Sequence, residues 1–356
     1  MTGSNETILV TGGSGFVGAH CVLQGIQKGY QVHTTIRSLS RADDVKQMLR
    51  NGGATEAEIS NVKFFAADLM KDDGWKDACA GCSYVLHVAS PFPAGAPKHE
   101  DDLIVPAREG TLRVLRAAKE ASTVKRVIIT SSMAAIGYGY GDVVKTKTFT
   151  EEDWTILDGP RGETIAPYQK SKAIAERAAW DWIAKEGSPM ELTVINPVAI
   201  FGPALSADFC ATLQFISRML NGQLPAMPNL AFETVDVRDV ADLHFRAMTS
   251  PKAAGQRYLA LRDGGPISLQ GIAQTLKRGL PAEETKRVGT MVIPNFVMRF
   301  AAMFQQDIAL IVPEIGRVRK CSNAKAKRDF GWQPRDGDEA ILSAARSLQK
   351  YGVVKP

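Results

Sequence analysis

Val10-Thr-Gly-Gly-Ser-Gly-Phe-Val-Gly18 decides how this chain is read. The run into it, Thr7-Ile-Leu-Val-Thr11, is short, apolar and bounded by glycine, as a buried strand is, and Phe16 to Lys28 continues as a helix. Gly12, Gly15 and Gly18 therefore sit on a strand-to-helix turn. Such a turn uses one glycine to bend, one to let the backbone approach a pyrophosphate, and one to pack helix against strand. The helix N-terminus then offers unpaired N–H groups to the phosphates. The same residues also satisfy a second dinucleotide register, Gly13-x-Gly15-x-x-Gly18, so the turn predicts a dinucleotide without naming a subfamily. Its predicted contacts are Gly12, Gly13, Ser14, Gly15, Phe16, Val17 and Gly18.

Outward from the turn the chain alternates strand and helix. Gln31-Val-His-Thr-Thr-Ile36 completes a βαβ unit, and the beat continues with strands at Val62–Ala67, Tyr84–Val88, Arg126–Thr130 and Glu191–Ile195. Helices are expected near Asp72 to Ala78, Val105 to Ala121 and Pro167 to Lys185. Near-continuous apolar strands separated by helices imply an α/β fold, a doubly wound parallel sheet of about seven strands covered on both faces. After Pro197 the rhythm breaks at Pro203, Pro225, Pro228, Pro266, Pro281, Pro294 and Pro313, which predicts a smaller, mostly helical C-terminal cap that holds the substrate. Val235 to His244 and Arg257–Leu261 look like returns to the sheet. The expected division is thus a dinucleotide-binding domain of residues 1–199, with 232–262 returning to it, and a cap of 200–231 and 263–356.

The second strand ends in Ile36-Arg37-Ser38, with Arg41 close behind and no carboxylate before Asp43. An acidic residue there would take the ribose hydroxyls of NAD, whereas arginine pairs with a 2′-phosphate, so the coenzyme is predicted to be NADP(H), held by Arg37 and Arg41. Asp68, after the third strand, either reaches the adenine amino group or caps the next helix. Tyr168 and Lys172 stand four residues apart in a helical stretch and so share one face. An ammonium beside a phenol would lower the phenol pKa from about 10 and make it a usable acid.

Composition narrows the field. The 356 residues, 45% hydrophobic and 23% charged, are ordinary for a globular protein and exclude disorder, collagen and coiled coil. A net charge of +5 without basic tracts suits an anionic cofactor and argues against nucleic acid. The opening residues run directly into a strand, so a cytoplasmic protein is expected. The apolar stretch Gly289 to Pro313 is interrupted by Pro294, Asn295, Arg299, Gln305, Gln306 and Asp307; it is predicted as a core or pocket helix, not a membrane span. Five cysteines, an odd count, argue for free thiols; Cys79-Ala-Gly-Cys82 has no second pair to make a zinc site, and no metal is expected. Phe92, Phe201, Phe209, Phe215, Met219, Met227 and Phe232 suit either an apolar pocket or plain core.

Taken in order, these residues resemble the extended short-chain dehydrogenase/reductases, and among them the dihydroflavonol reductase, cinnamoyl-CoA reductase and NADPH-dependent aldehyde or ketone reductase group. The likeness spans nearly the whole chain. It rests on the glycine turn, Arg37, Asp68-Leu69, Leu86-His-Val-Ala-Ser-Pro-Phe92, Glu109-Gly-Thr-Leu-Arg-Val-Leu115, Thr130-Ser-Ser132, Tyr168-x-x-x-Lys172, Asn196-Pro-Val198 and Lys325-Ala-Lys-Arg-Asp-Phe-Gly-Trp-Gln-Pro334. The resemblance implies a Rossmann-type fold and an NADPH-dependent carbonyl reductase acting on a small, apolar or aromatic aldehyde or ketone, as a monomer or homodimer. It implies that Tyr168 donates the proton, that Lys172 binds the nicotinamide ribose, and that Ser132 binds the carbonyl. Ser131 stays the alternative, because Met133 stands where relatives have a small residue. Leu69, the loop Val88, Ala89 and Ser90, and Pro197 and Val198 are implied as further cofactor contacts. Two rivals remain: a nucleotide-sugar epimerase or dehydratase, in which Arg317, Arg319 and Lys320 would grip a pyrophosphate, and a non-catalytic NADP-binding sensor.

Overall fold

The computed structural model describes residues 6–91, 99–158, 165–186, 189–305 and 311–354. Seven strands form its main sheet: β1 (Thr7–Val10), β2 (Gln31–Ile36), β3 (Val62–Ala66), β4 (Cys82–His87), β5 (Arg126–Thr130), β6 (Glu191–Pro197) and β7 (Gln256–Ala260). Their order is β7-β6-β5-β4-β1-β2-β3 and each pairing is parallel. The chain therefore runs outward from β1 to one edge, then returns and runs outward to the other. Its switch point lies between β1 and β4, where the glycine turn leaves the sheet.

Both sheet faces are covered, as the unbroken apolar strands require. On one face Ile8, Val10, Leu86, Ile128 and Ile195 pack with α1 (Phe16–Gln27) and a helix at Val237–Thr249. On the other, Leu9, Val85, Val127, Ile129 and Val194 pack with helices at Trp75–Cys79, Asp101–Glu120 and Pro167–Glu186. Each of these side chains contributes about 1.5–3 kcal/mol by leaving water. Between β2 and β3 lie two helices that the strand–helix rhythm did not announce, Ala42–Asn51 and Glu56–Ile59. Val45, Met48 and Leu49 of the first are buried at helical spacing, and Thr55 with Glu58 forms a capping box on the second.

A separate core lies beyond the sheet, where Leu213, Ile216, Met219, Leu276, Ile341, Ala344 and Leu348 meet from helices Ala211–Leu220, Leu269–Gly279 and Gly337–Lys350. Two expectations for this half need correction. Of the two segments read as returns to the sheet, only β7 joins it; Thr234–Asp236 pairs instead with Ala199–Phe201, the strand that follows Pro197 and Val198 away from β6. Among its described residues the apolar stretch from Gly289 holds no core helix. Its described helix is Asn295–Ala301, with Phe296 73%, Phe300 64% and Met303 just after it 74% exposed. The proline that starts this helix and its seven residues leave too little length to bury a whole face. Among the described residues no helix is long and apolar enough to cross a membrane.

Candidate active site

The glycine turn is built by close approaches. Gly12 has a φ of +73°, and a Cβ there would lie 3.0 Å from the Ala89 Cα. A Cβ on Gly13 would lie 2.1 Å from Thr34 Oγ1, and one on Gly18 2.1 Å from the Gly12 carbonyl oxygen. Gly15 is different: it is exposed, with only the Gly12 oxygen near, at 3.3 Å. Gly15 also caps α1 with no side-chain bond to the helix N–H groups, and the first turn carries no acid. An anion is therefore what this helix end lacks. Ser14, Phe16 and Val17 line the same turn, with Phe16 edge-on to His20 at 5.8 Å and Val17 against the sheet core.

Thr11, buried at the end of β1, ties the turn to its neighbour. Its Oγ1 accepts the Val88 and Ala89 N–H groups at 3.0 Å each and lies 3.0 Å from His87 Nδ1. The predicted loop Val88, Ala89 and Ser90 is thereby set beside Gly12, while Phe92 lies outside the described residues. Arg37, past β2, is exposed and pairs with nothing among the described residues. Arg41 is committed elsewhere, its guanidinium 3.1 Å from Asp208 and 3.3 Å from Asp44, which raises its pKa. Of the two arginines, Arg37 is thus the unneutralised charge. Asp68 accepts the Met70 N–H at 2.9 Å, closing a turn; the helix after it is capped by Gly74, so Asp68 is not that cap. Leu69 packs over Gly110, where a Cβ would meet it at 2.9 Å.

Tyr168 and Lys172 both stand on the helix Pro167–Glu186, one turn apart. Lys172 Nζ lies 5.9 Å from the Tyr168 ring centre and donates to Ser90 Oγ at 2.9 Å. Burial lowers the Lys172 pKa to about 8, with Glu176 acting in the opposite direction. The expectation that Lys172 lowers the Tyr168 pKa is corrected: burial raises it, a hydrogen bond with Ser132 lowers it, and the nearby Tyr138 raises it. At 5.9 Å from the ring centre, the ammonium is a weaker influence on the phenol than the loss of water.

The two serines separate cleanly. Ser131 Oγ is buried and donates to Glu176 at 2.5 Å, whereas Ser132 Oγ caps the short helix Met133–Ala135 and bonds Tyr168. Pro197 ends β6, and Val198 N–H bonds Ala260 O at 3.3 Å, so this pair closes the floor beside Asn196. The predicted residues lie on or beside segments that leave the carboxyl edge of the sheet; Arg41, paired with Asp208 and Asp44, is the one already engaged by carboxylates. Thr11, Asn196, Glu176 and Arg257 were not read as functional from sequence. Glu176 carried a signal: it continues the spacing of Tyr168 and Lys172 by one more turn.

Other predicted features serve packing. Phe201, Met219 and Met227 are fully buried in the second core; Phe209, Phe215 and Phe232 are its half-buried rim. Cys79 and Cys82 are buried, Cys82 Sγ lies 3.4 Å from His33 Nδ1, and burial pushes both thiols up to about 12. Neither is a nucleophile at neutral pH.

Residues 8–260, which span β1 to β7 and every site element, match a single family in sequence. The chain belongs to the NAD dependent epimerase/dehydratase family. Within this epimerase/dehydratase family it is 35% identical over 295 residues to a Candida albicans protein named as an NADPH-dependent methylglyoxal reductase, covering 78% of this chain and 84% of that one. It is 31% identical over 278 residues to dihydroflavonol 4-reductase of Zea mays, covering 77% of this chain and 74% of that one. The fold is that of yeast methylglyoxal/isovaleraldehyde reductase Gre2, crystallised with NADPH, at a TM-score of 0.79 and 24% identity, covering 98% of this chain and 100% of that one.

Proposed function

We propose that the protein reduces an aldehyde or ketone to an alcohol with NADPH, Tyr168 supplying the proton. The observation that carries this reading is the hydrogen bond between Ser132 and Tyr168, beside Lys172, on the sheet edge that also holds the glycine turn. The residues suit the coenzyme: an uncapped helix N-terminus stands ready for pyrophosphate, and the unpaired Arg37 for a 2′-phosphate. When bound, NADPH supplies the hydride.

The remaining work falls to the chain. Ser132 Oγ and the Tyr168 hydroxyl are the two donors that polarise a carbonyl oxygen, where negative charge grows. Because burial raises its pKa, Tyr168 is protonated at neutral pH, the form a proton donor needs. Lys172 holds positive charge near the phenol and stabilises the phenolate left after transfer. Ser90, by accepting the Lys172 bond, keeps that ammonium at the coenzyme side of the helix. The cap, residues 200–231 and 263–356, holds a substrate with an apolar or aromatic body against the half-buried Phe209, Phe215 and Phe232. Five free thiols suit the reducing cytoplasm.

The test is NADPH oxidation, followed at the nicotinamide absorbance, with methylglyoxal, branched aliphatic aldehydes and aryl ketones. Turnover is expected with at least one class, and no turnover across the panel with NADPH still bound would move the protein to the sensor reading. Of the three basic residues the epimerase reading would use, Arg319 is engaged elsewhere, bonded to Glu314 and to Gly137 O and stacked 3.9 Å over Tyr138. Two substitutions extend the test. Arg37→Ala is expected to weaken NADPH, leave NADH unchanged, and cost on the order of tenfold or more in NADPH affinity, as loss of a charge-assisted phosphate bond does. Ser132→Ala is expected to lower kcat by on the order of 10²–10³, the effect of removing one donor from a developing oxyanion. A Ser132→Ala enzyme with unchanged kcat would remove the serine from the mechanism.

A further inference from the structure

We propose that Glu176 is the positioning residue of this site, holding Lys172 in its charged form and Ser132 in its orientation; the proposal rests on the reductase reading above. The carboxylate is fully buried one helical turn beyond Lys172 and two beyond Tyr168. A buried carboxylate is costly unless it is paired and hydrogen-bonded, and this one is both. It accepts from Ser131 Oγ at 2.5 Å, Asn196 Nδ2 at 2.8 Å and Arg257 Nε at 2.6 Å, with Trp180 Nε1 at 3.5 Å on its own helix. Those donors come from the residue after β5, from β6 and from β7. One carboxylate thus joins the catalytic helix to two strands and to the segment leaving a third.

Two consequences reach the reacting groups. Asn196 Nδ2 also donates to the Ser132 carbonyl at 3.2 Å, so the amide that Glu176 orients is the one that fixes the Ser132 backbone. Glu176 and Lys172 also line one small cavity behind the site. The other polar side chains facing that cavity are His87 from β4, Ser90 from the loop after it, Thr130 at the end of β5, Ser131 just after it, and Thr111 from Asp101–Glu120. Among these described residues Glu176 is the single carboxylate. His87 adds no charge, because burial lowers its pKa to about 3 and keeps it neutral. The buried ammonium, pulled down to about 8, therefore has one fixed anion to oppose its loss of solvent.

Arg257 does not cancel this role. Its Nη1 donates to Glu151 O and Asp153 O at 2.8 Å each and its guanidinium lies 3.7 Å over Trp154, and unlike Lys172 it does not line the cavity. It steadies the carboxylate while Lys172 feels it. A purely structural Glu176 would leave the titration of Lys172 alone.

Glu176→Gln keeps size and removes charge, and the pH dependence of both NADPH binding and kcat/KM reads the result. The high-pH limb, set by Lys172 losing its proton, is expected to move down by about one unit or more, so that at pH 8 the variant is on the order of tenfold weaker in both quantities while at pH 6 it approaches wild type. Glu176→Asp, which keeps the charge, is expected to restore the limb. A uniform loss at every pH with the limb unmoved would overturn the proposal. Should Glu176→Gln not fold, Ser131→Ala removes one donor from the carboxylate, leaves its charge less neutralised and is expected to move the limb upward; an unmoved limb there overturns it equally. The binding limb needs no turnover, so a wild type that binds NADPH yet reduces nothing would sink the reductase reading while the role of Glu176 is still decided.

Discussion

Tyr168→Phe is expected to lower kcat/KM by about 10²–10⁴ while NADPH still binds with wild-type affinity, because the change deletes the proposed proton donor and its bond to Ser132 but keeps the ring. The ring remains for the Lys172 ammonium 5.9 Å from its centre, and the bond from Lys172 to Ser90 does not involve the phenol. In the proposed mechanism, what is lost is one of the two donors to the carbonyl oxygen, and the one that carries a proton to it. Steady-state kinetics with the best carbonyl substrate, paired with a fluorescence titration of NADPH, separates the two quantities. A variant with wild-type turnover would end the assignment of Tyr168, and one that no longer binds NADPH would show a different role for the hydroxyl.

The second large effect lies in the glycine turn. A methyl group at Gly18 would stand 2.1 Å from the Gly12 carbonyl oxygen and 2.8 Å from its carbon, and neither is a side chain that can rotate away. Gly18→Ala is therefore expected to push the first turn of α1 off β1 at a cost of about 1–3 kcal/mol, and to displace the N–H groups that await the pyrophosphate. NADPH affinity should fall on the order of 10²-fold and the melting temperature should drop. Gly15→Ala is the instructive partner. Gly15 has a φ of −84° and its one near neighbour, the Gly12 oxygen, is 3.3 Å away, so alanine asks for a shift of only a few tenths of an ångström but occupies the space a pyrophosphate needs. It should lose NADPH affinity with a much smaller fall in melting temperature than Gly18→Ala. Equal melting losses for the two variants would show that the turn is a packing feature and not a phosphate cradle.

The same contrast explains which parts of the site were readable in one dimension. Spacing along a helix survives folding, so Tyr168 and Lys172 could be placed on one face before any coordinates. The energetic consequence could not: whether ammonium or burial dominates the phenol depends on a 5.9 Å separation and on Ser90, 78 residues earlier in the chain. Arg37 and Arg41 looked equivalent until Asp208, far along the sequence, was found beside the second. Ser131 and Ser132 are adjacent in sequence, yet their side chains face opposite ways from an extended segment, one into Glu176 and the other to Tyr168. In the cap, aromatic and methionine residues could not be divided between pocket and core because short helices and proline-rich loops leave no periodicity to read.

From sequence alone came the parallel α/β sheet, the dinucleotide turn and the tyrosine–lysine pair, because each is written in local patterns: apolar runs of strand length, glycines at a turn, and two residues four apart. Tertiary structure alone settled that β7 and not Thr234–Asp236 closes the sheet, that Arg37 stands unpaired, that Ser132 meets the phenol, and that Glu176 sits among donors following β5, on β6 and on β7. Those outcomes depend on which distant charges and strands come to lie within a few ångströms, and electrostatic and hydrogen-bonding energies are set by that distance and not by separation along the chain.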